Sequence, residues 1–82
     1  MSCDAWEREI EDDPGVRWPR HALATIFRHD TGLYEVRAFV GARPIASGKA
    51  ARSLAEAKDN AAAMIKRMRG AKSRGPWRCA SI

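Results

Sequence analysis

The feature that most constrains the fold is a helix pattern near the end of the chain, from Leu54 to about Arg69. Ser53 precedes it and Glu56 follows Ser53 by three places, the spacing of a capping box, in which each side chain satisfies the backbone N–H of the other residue. Gly70 follows the last turn, where a left-handed residue commonly ends a helix. One apolar stripe recurs at three- and four-residue steps: Leu54, Ala57, Ala61, Met64, Ile65 and Met68. The pattern predicts an amphipathic helix that covers another apolar surface.

Three strands before the helix are predicted to supply that surface. The first spans residues 22–29 and the second residues 33–40, where four apolar residues alternate with polar ones: Tyr34, Val36, Ala38 and Val40. Asp30-Thr31-Gly32 between them predicts a hairpin loop with a left-handed third residue. Gly41-Ala42 predicts a second turn, and Pro44 favours an edge position for a short strand ending at Ser47. We therefore expect an α+β fold, a three-stranded antiparallel β-meander packed against one C-terminal α-helix.

The two ends of the chain differ from this domain. The sequence divides into an acidic segment, a β-β-β-α domain and a basic tail, at residues 1–20, 21–70 and 71–82. Asp4 and Glu7 again have the capping-box spacing, which predicts a short helix over residues 4–11. The tail is interrupted by Gly75-Pro76 and is either disordered or held against the sheet by Trp77.

Length and charge limit the classes of function. Eighty-two residues form one domain that buries only about 60% of its unfolded surface, so we expect modest stability, which a partner or a homodimer would raise. Six acidic residues lie within residues 1–13 against Arg8 alone, a balance of −5. Since the net charge of the whole chain is +5, the remaining residues carry +10. A basic run without acids begins in the last turn of the predicted helix and extends from Lys66 to Arg78. Such a run suits phosphates or an acidic protein surface, although it is equally typical of a solvated helix end.

Cys3 and Cys79 lie near opposite ends of the chain. In a chain without a secretory segment, two cysteines more often stay reduced, although a bridge joining the ends is an alternative. There is no run of apolar residues long enough for a membrane span, and no targeting segment, so we expect a soluble, cytoplasmic protein.

The sequence shows no cluster of residues typical of an enzyme. His21 and His29 are eight residues apart on one strand face, too distant to share a ligand. The cysteines form no CxxC pair, and no glycine-rich phosphate loop is present. We therefore expect a non-catalytic binding protein with no metal and no cofactor.

The β-β-β-α order over residues 22–69 resembles the double-stranded-RNA-binding domain. The resemblance is greatest at Gly48–Ala63, where five residues fall at places typical of the family: Ser53, Ala57, Lys58, Ala61 and Ala62. The chain departs from the family pattern at Leu54-Ala55, where a lysine pair is expected, and at Asp30-Thr31-Gly32, which replaces a histidine-bearing loop. The resemblance implies the fold more than the function.

A nucleic-acid-binding module, for duplex RNA or DNA, would use two basic patches. Lys49, Arg52 and Lys58 lie at the start of the helix, where backbone N–H groups also favour phosphate. The second patch is roughly 20 Å away at the other end and comprises Lys66, Arg67, Arg69 and Lys72. A solubilising role is the alternative for each of these side chains.

In its small size and its order of strands and helix, the chain is also similar to small phage-encoded inhibitors such as anti-CRISPR proteins, which cover a surface of a host protein or ribonucleoprotein complex. The expected contact surface is a sheet face with Glu35, Arg37 and Phe39, beside the Arg43-Pro44 loop. An exposed Phe39 or Trp18 would be its energetic centre. The alternative is that Trp18 or Trp77 covers Phe39 within the same chain. We place a protein or ribonucleoprotein partner ahead of free nucleic acid, since residues 1–13 could fold over the basic helix and screen it.

Overall fold

A computed structural model describes residues 3–11, 22–68 and 71–80. It contains β1 (Ala5–Glu11), β2 (Ala22–Arg28), β3 (Tyr34–Val40), β4 (Arg43–Ser47), α1 (Leu54–Arg67) and β5 (Lys72–Cys79). The strands form one antiparallel sheet in the order β4-β3-β2-β1-β5, and α1 packs against one face of it. The predicted α+β class is confirmed, but the sheet has five strands where three were predicted.

The predicted meander forms the β2-β3-β4 half of the sheet. The β2–β3 hairpin closes with His29 N donating to Leu33 O at 2.8 Å, and Gly32 has the predicted left-handed backbone, with φ +86°. β4 lies at an edge of the sheet, as the proline near its start favours. The strand pattern of this region was therefore sufficient to place its three members.

The helix begins where its cap predicts. Ser53 has an extended backbone, and its Oγ accepts a hydrogen bond from Glu56 N at 3.1 Å. Four residues of the predicted stripe are buried: Ala57, Ala61, Met64 and Ile65. The last helical residue is Arg67, two residues earlier than predicted, and Met68 N donates back to Ile65 O. Gly70, the predicted terminator, lies outside the described residues.

The prediction of a short helix over residues 4–11 is wrong, because residues 5–11 form β1. Trp6, Arg8 and Ile10 lie on the side of the sheet that faces α1, and the intervening glutamates lie on the other side. This alternation has the two-residue period of a strand. In so short a segment, the capping-box spacing of Asp4 and Glu7 was as clear as the strand alternation, and it led to the wrong prediction of a helix.

The basic tail is not disordered over residues 72–79, because these form β5 on the outer edge of β1. Trp77 is half-buried and packs against the core, which agrees with the alternative in which it holds the tail to the sheet. The pairing of β1 with β5 joins the two ends of the chain. Local patterns do not reveal such a pairing, since its partners are about 65 residues apart.

The core lies between α1 and the sheet. Ile26 and Val36 are its largest fully buried side chains, and Ala24, Ala38, Ala57 and Ala61 are completely buried between the two layers. Small side chains let the helix approach closely. The connection into the helix is equally tight, because a Cβ on Gly48 would lie 2.9 Å from Val36 Cγ1 and 3.3 Å from Asn60 O.

A disulfide joins Cys3, just before β1, to Cys79, the last residue of β5. Of the two alternatives for these cysteines, the structure has the bridge. Separately, no helix within the described ranges combines the length and the apolar character needed to cross a bilayer.

Candidate interaction surface

The sheet face opposite α1, here called the open face, carries an uncharged row on its middle strand. This row comprises Leu23, Thr25 and Phe27 of β2. Leu23 lies directly opposite Phe39 of β3, and Phe27 is 39% exposed. Leu23, Phe27 and Phe39 neither belong to the hydrophobic core nor pack against it. The middle of the open face therefore presents apolar groups that the described core does not use.

Charged side chains border this row on the β1 side. Three glutamates of β1 lie directly opposite three cations of β5 in the pairs Glu7–Arg78, Glu9–Arg74 and Glu11–Lys72. In this charge ladder the closest approach is 3.9 Å, between Arg78 Nη2 and Glu9 Oε1. Opposite charges at facing positions stabilise an antiparallel pair, so the ladder helps to hold β5 at the edge of the sheet.

Charged side chains also border the row on the β3 side. The Glu35 carboxylate forms an ion pair with Arg37 on its own strand and a hydrogen bond with His29, whose Nε2 is 2.7 Å from Glu35 Oε2. Thr25 Oγ1 donates to Arg37 O at 3.3 Å across the β2–β3 pair. The open face thus has an uncharged centre between two charged margins.

The sheet-face residues predicted from the sequence fall mostly on this surface. Glu35, Arg37 and Phe39 lie on the open face, whereas Arg43 pairs with Val40, a position on the α1 side. Trp77 does not cover Phe39, because it packs against the core from β5, three strands away from β3. Trp18, the other residue proposed to cover Phe39, lies outside the described residues.

The cations predicted at the start of the helix do lie near its N-terminus. Lys49 and Arg52 are exposed on either side of Ala51, which exchanges backbone hydrogen bonds with Tyr34, and Lys58 is half-buried one turn into α1. Asn60 Nδ2 donates to Lys49 O at 3.0 Å and fixes this connection to the helix. No carboxylate of residues 3–11, 22–68 or 71–80 forms an ion pair with these three cations.

The second predicted basic patch is divided. Lys66 and Arg67 are exposed in the last turn of α1, but Lys72 lies on the open face opposite Glu11. Arg69 is outside the described residues. The described part of the acidic segment does not fold over the helix either, since residues 5–11 are built into the sheet. Its glutamates face the cations of β5 and not those of the helix.

A polar cleft of about 420 Å³ lies at the end of the β2–β3 hairpin, lined by Asp4, Arg28, His29, Asp30 and Gly32. Arg28 Nη2 is 2.5 Å from Asp4 Oδ1, and this hydrogen bond raises the pKa of the exposed Arg28 guanidinium. The pair fastens the start of β1 to the end of β2. Within the described part of the chain, no three His, Cys, Asp or Glu side chains lie close enough together to hold a metal ion.

Leu23 and Phe27 were not predicted from the sequence as surface residues. The available signal was the alternation of β2, which separates Ala22, Ala24 and Ile26 from Leu23, Thr25 and Phe27. Because the larger residues are usually the buried ones, the pattern gave no reason to place the alanines inside. The closely approaching helix reverses that expectation.

Comparison with known proteins gives no relative from which a role could be transferred: the chain matches no protein-family model, no curated protein and no solved structure.

Proposed function

We propose that this chain is a small non-catalytic binding protein that uses the open face to cover a surface of a host protein or ribonucleoprotein complex. The observation that carries the proposal is the uncharged row of Leu23, Thr25 and Phe27 between two charged margins. Protein-binding surfaces commonly have an apolar centre and a polar rim, and most of the binding energy lies in the centre.

The size and architecture of the chain indicate the class of partner. Its size and its single sheet with one covered face resemble phage-encoded inhibitors, including anti-CRISPR proteins, which act by covering a surface. Such a role implies the bacterial cytoplasm as the place of action. It also implies that affinity depends on Phe27 and Phe39 more than on the helix cations.

Phage plating on CRISPR-immune cells that express the protein tests this proposal. The wild-type chain should raise plating in at least one defence type. Phe27→Glu should return plating to the level of cells without the protein, because it places a charge in the apolar centre. Ala62→Glu is the matched control, since it adds the same charge at an exposed position of α1, on the other side of the molecule.

Two results would remove the proposal. One is unchanged plating across several CRISPR types with wild-type protein at measurable abundance. The other is equal loss of activity in Phe27→Glu and Ala62→Glu at equal abundance, since the open face would then have no special role.

A second candidate function is duplex nucleic-acid binding, as the resemblance to the double-stranded-RNA-binding domain implies. The specific observation is that Lys49, Arg52 and Lys58 form no ion pair with any described carboxylate, whereas cations of the open face have acidic neighbours. Exposed cations near a helix start are well suited to phosphate oxygens, because the backbone N–H groups there also favour an anion.

Gel retardation of duplex RNA and DNA at low salt separates the two candidates. Alanine at Lys49, Arg52 and Lys58 together should abolish retardation. The matched control replaces Arg43, Arg74 and Arg78 by alanine, which removes the same charge from exposed positions outside both basic patches. If both triple variants bind equally, or if wild-type protein retards neither duplex, the nucleic-acid candidate is removed.

A further inference from the structure

A cleft opens on the open face where β5 departs from regular pairing with β1. The register passes from Glu7↔Arg78 to Glu9↔Arg74, so Gly75, Pro76 and Trp77 together oppose Arg8. Gly75 has φ +74°, and nothing lies within 4 Å of the position that a Cβ would take. The cleft has a volume of about 200 Å³ and is lined by Glu9, Arg74, Gly75, Pro76 and Arg78.

The bulge that forms the cleft is fixed from the opposite side of the sheet. Arg8 lies on the α1 side, and its Nε donates a hydrogen bond of 2.6 Å to Gly75 O. Pro76 has a restricted φ and no N–H, which further limits the conformations of this segment. The disulfide anchors β5 only four residues farther on, at Cys79. The cleft is therefore formed in the unbound protein.

The charges around the cleft do not balance. Two guanidinium groups line it, those of Arg74 and Arg78, against the single carboxylate of Glu9. Arg78 approaches Glu9 only to 3.9 Å, and Arg74 forms no ion pair with a described carboxylate. The lining carries a net charge of +1, which one monoanionic group would neutralise.

We infer that this cleft binds one carboxylate side chain of a protein partner, with Arg74 as its principal ligand. The inference rests on the proposed function and adds to it the chemistry of one partner residue. A guanidinium can hold a carboxylate through two parallel hydrogen bonds, and a volume of about 200 Å³ accommodates a carboxylate on a short aliphatic stem. The cleft lies on the same face as Phe27, so a single partner surface can contact both.

A nucleic-acid strand suits the cleft less well than an acidic side chain does. Glu7, Glu9 and Glu11 run along β1 beside the cleft. A backbone with repeated phosphates would bring further negative charges against this row, whereas a single carboxylate would not. The neighbouring strand thus selects for an isolated anion.

The test is an NMR titration of the full chain, followed at the Gly75 amide and the arginine Nε–H signals at constant ionic strength. The probe is a capped pentapeptide with one glutamate between two pairs of glycines, here called the glutamate peptide, and the same peptide with glutamine is the uncharged control. We expect saturable shifts with the glutamate peptide only. Arg74→Gln should weaken binding by about fivefold or more, because it removes charge-assisted hydrogen bonds. Lys72→Gln, which removes one charge from the same strand outside the cleft, should change binding by less than about twofold.

Three outcomes would overturn the inference: no saturable shift, equal weakening by Arg74→Gln and Lys72→Gln, or displacement of the glutamate peptide from the same signals by an octathymidylate strand. The last would assign the cleft to nucleic acid. The titration does not depend on Phe27, so its failure leaves the proposed inhibitor function standing. Conversely, if the wild-type protein binds the glutamate peptide but does not raise phage plating, only the inhibitor function is removed.

Discussion

Cys3 and Cys79 are separated by 76 positions in the sequence, yet their Cα atoms lie 5.9 Å apart and a disulfide joins them. The bond connects the residues before β1 to the end of β5, where Arg28 and Asp4 also fasten the chain to β2. Almost the whole chain lies within the loop that this bond closes. A long closed loop gives a disulfide its greatest effect on the unfolded state.

Replacing both cysteines by serine should lower the free energy of unfolding by roughly 4 kcal/mol, from the loop-closure entropy of a loop of this length. Urea unfolding of the oxidised wild type and of the double variant measures the difference. Adding reductant to the wild type should give the same loss, and adding it to the double variant should change nothing. Since the cytoplasm keeps most thiols reduced, the reduced form is the one to examine for the proposed inhibitor. Equal stability of all forms would contradict the prediction.

Gly48→Ala should destabilise the protein by about 1–3 kcal/mol, because the added Cβ would lie 2.9 Å from Val36 Cγ1 in a packed layer. Thermal or urea unfolding measures this loss. Combining it with Val36→Ala, which removes the clashing methyl groups, should cost less than the sum of the two single changes. Additive losses would show that the close approach is not the cause.

Ser53→Ala should cost about 1 kcal/mol, because Glu56 N loses the side-chain oxygen that caps the first turn of α1. Ser53→Asp, which keeps an acceptor, should retain most of the stability. Ser47→Ala, at an exposed position of β4, is the control for the loss of a serine hydroxyl. In urea unfolding, it should leave the free energy of unfolding almost unchanged. A similar loss at both serines would argue against the cap.

Glu11→Lys should lower stability by about 0.5–1 kcal/mol, since it places two cations directly opposite each other at the β1–β5 pair. The charge-exchanged double variant, Glu11→Lys with Lys72→Glu, should recover most of the loss in low salt. High salt should reduce the difference between the single variant and the wild type. No recovery in the double variant would mean that residues 11 and 72 do not face each other.

The sequence was sufficient for the elements whose pattern is local. The Ser53 cap, the apolar stripe of α1 and the alternation of β3 predicted the helix and the meander, because each depends on residues only a few places apart. The β1–β5 pair could not be found in this way. The only sequence feature that indicated this pair was the opposite charge of the acidic and basic segments. The same feature was equally compatible with an acidic segment that screens the basic helix, which was the interpretation chosen.

The candidate surface was predicted only in part. Glu35, Arg37 and Phe39 were placed on one face by the alternation of β3, and they do lie on the open face. The central row on β2 was missed, because the choice of buried face there depends on how closely α1 approaches. The cleft beside Arg74 could not be predicted at all, since it arises from a bulge in a strand whose existence was not recognised.

The position of β5 next to β1 also affects how the chain folds during translation. β1 leaves the ribosome before its outer hydrogen-bonding partner β5, because β2, β3, β4 and α1 lie between them in the chain. Until β5 has emerged, the nascent sheet ends in an uncovered β1, a type of edge that favours pairing with other chains. The contacts between β1 and β5 also join residues that are far apart in the sequence, and such contacts slow folding. Translation that stops before residue 72 would leave this edge permanently open, so truncated products should be the most prone to aggregate.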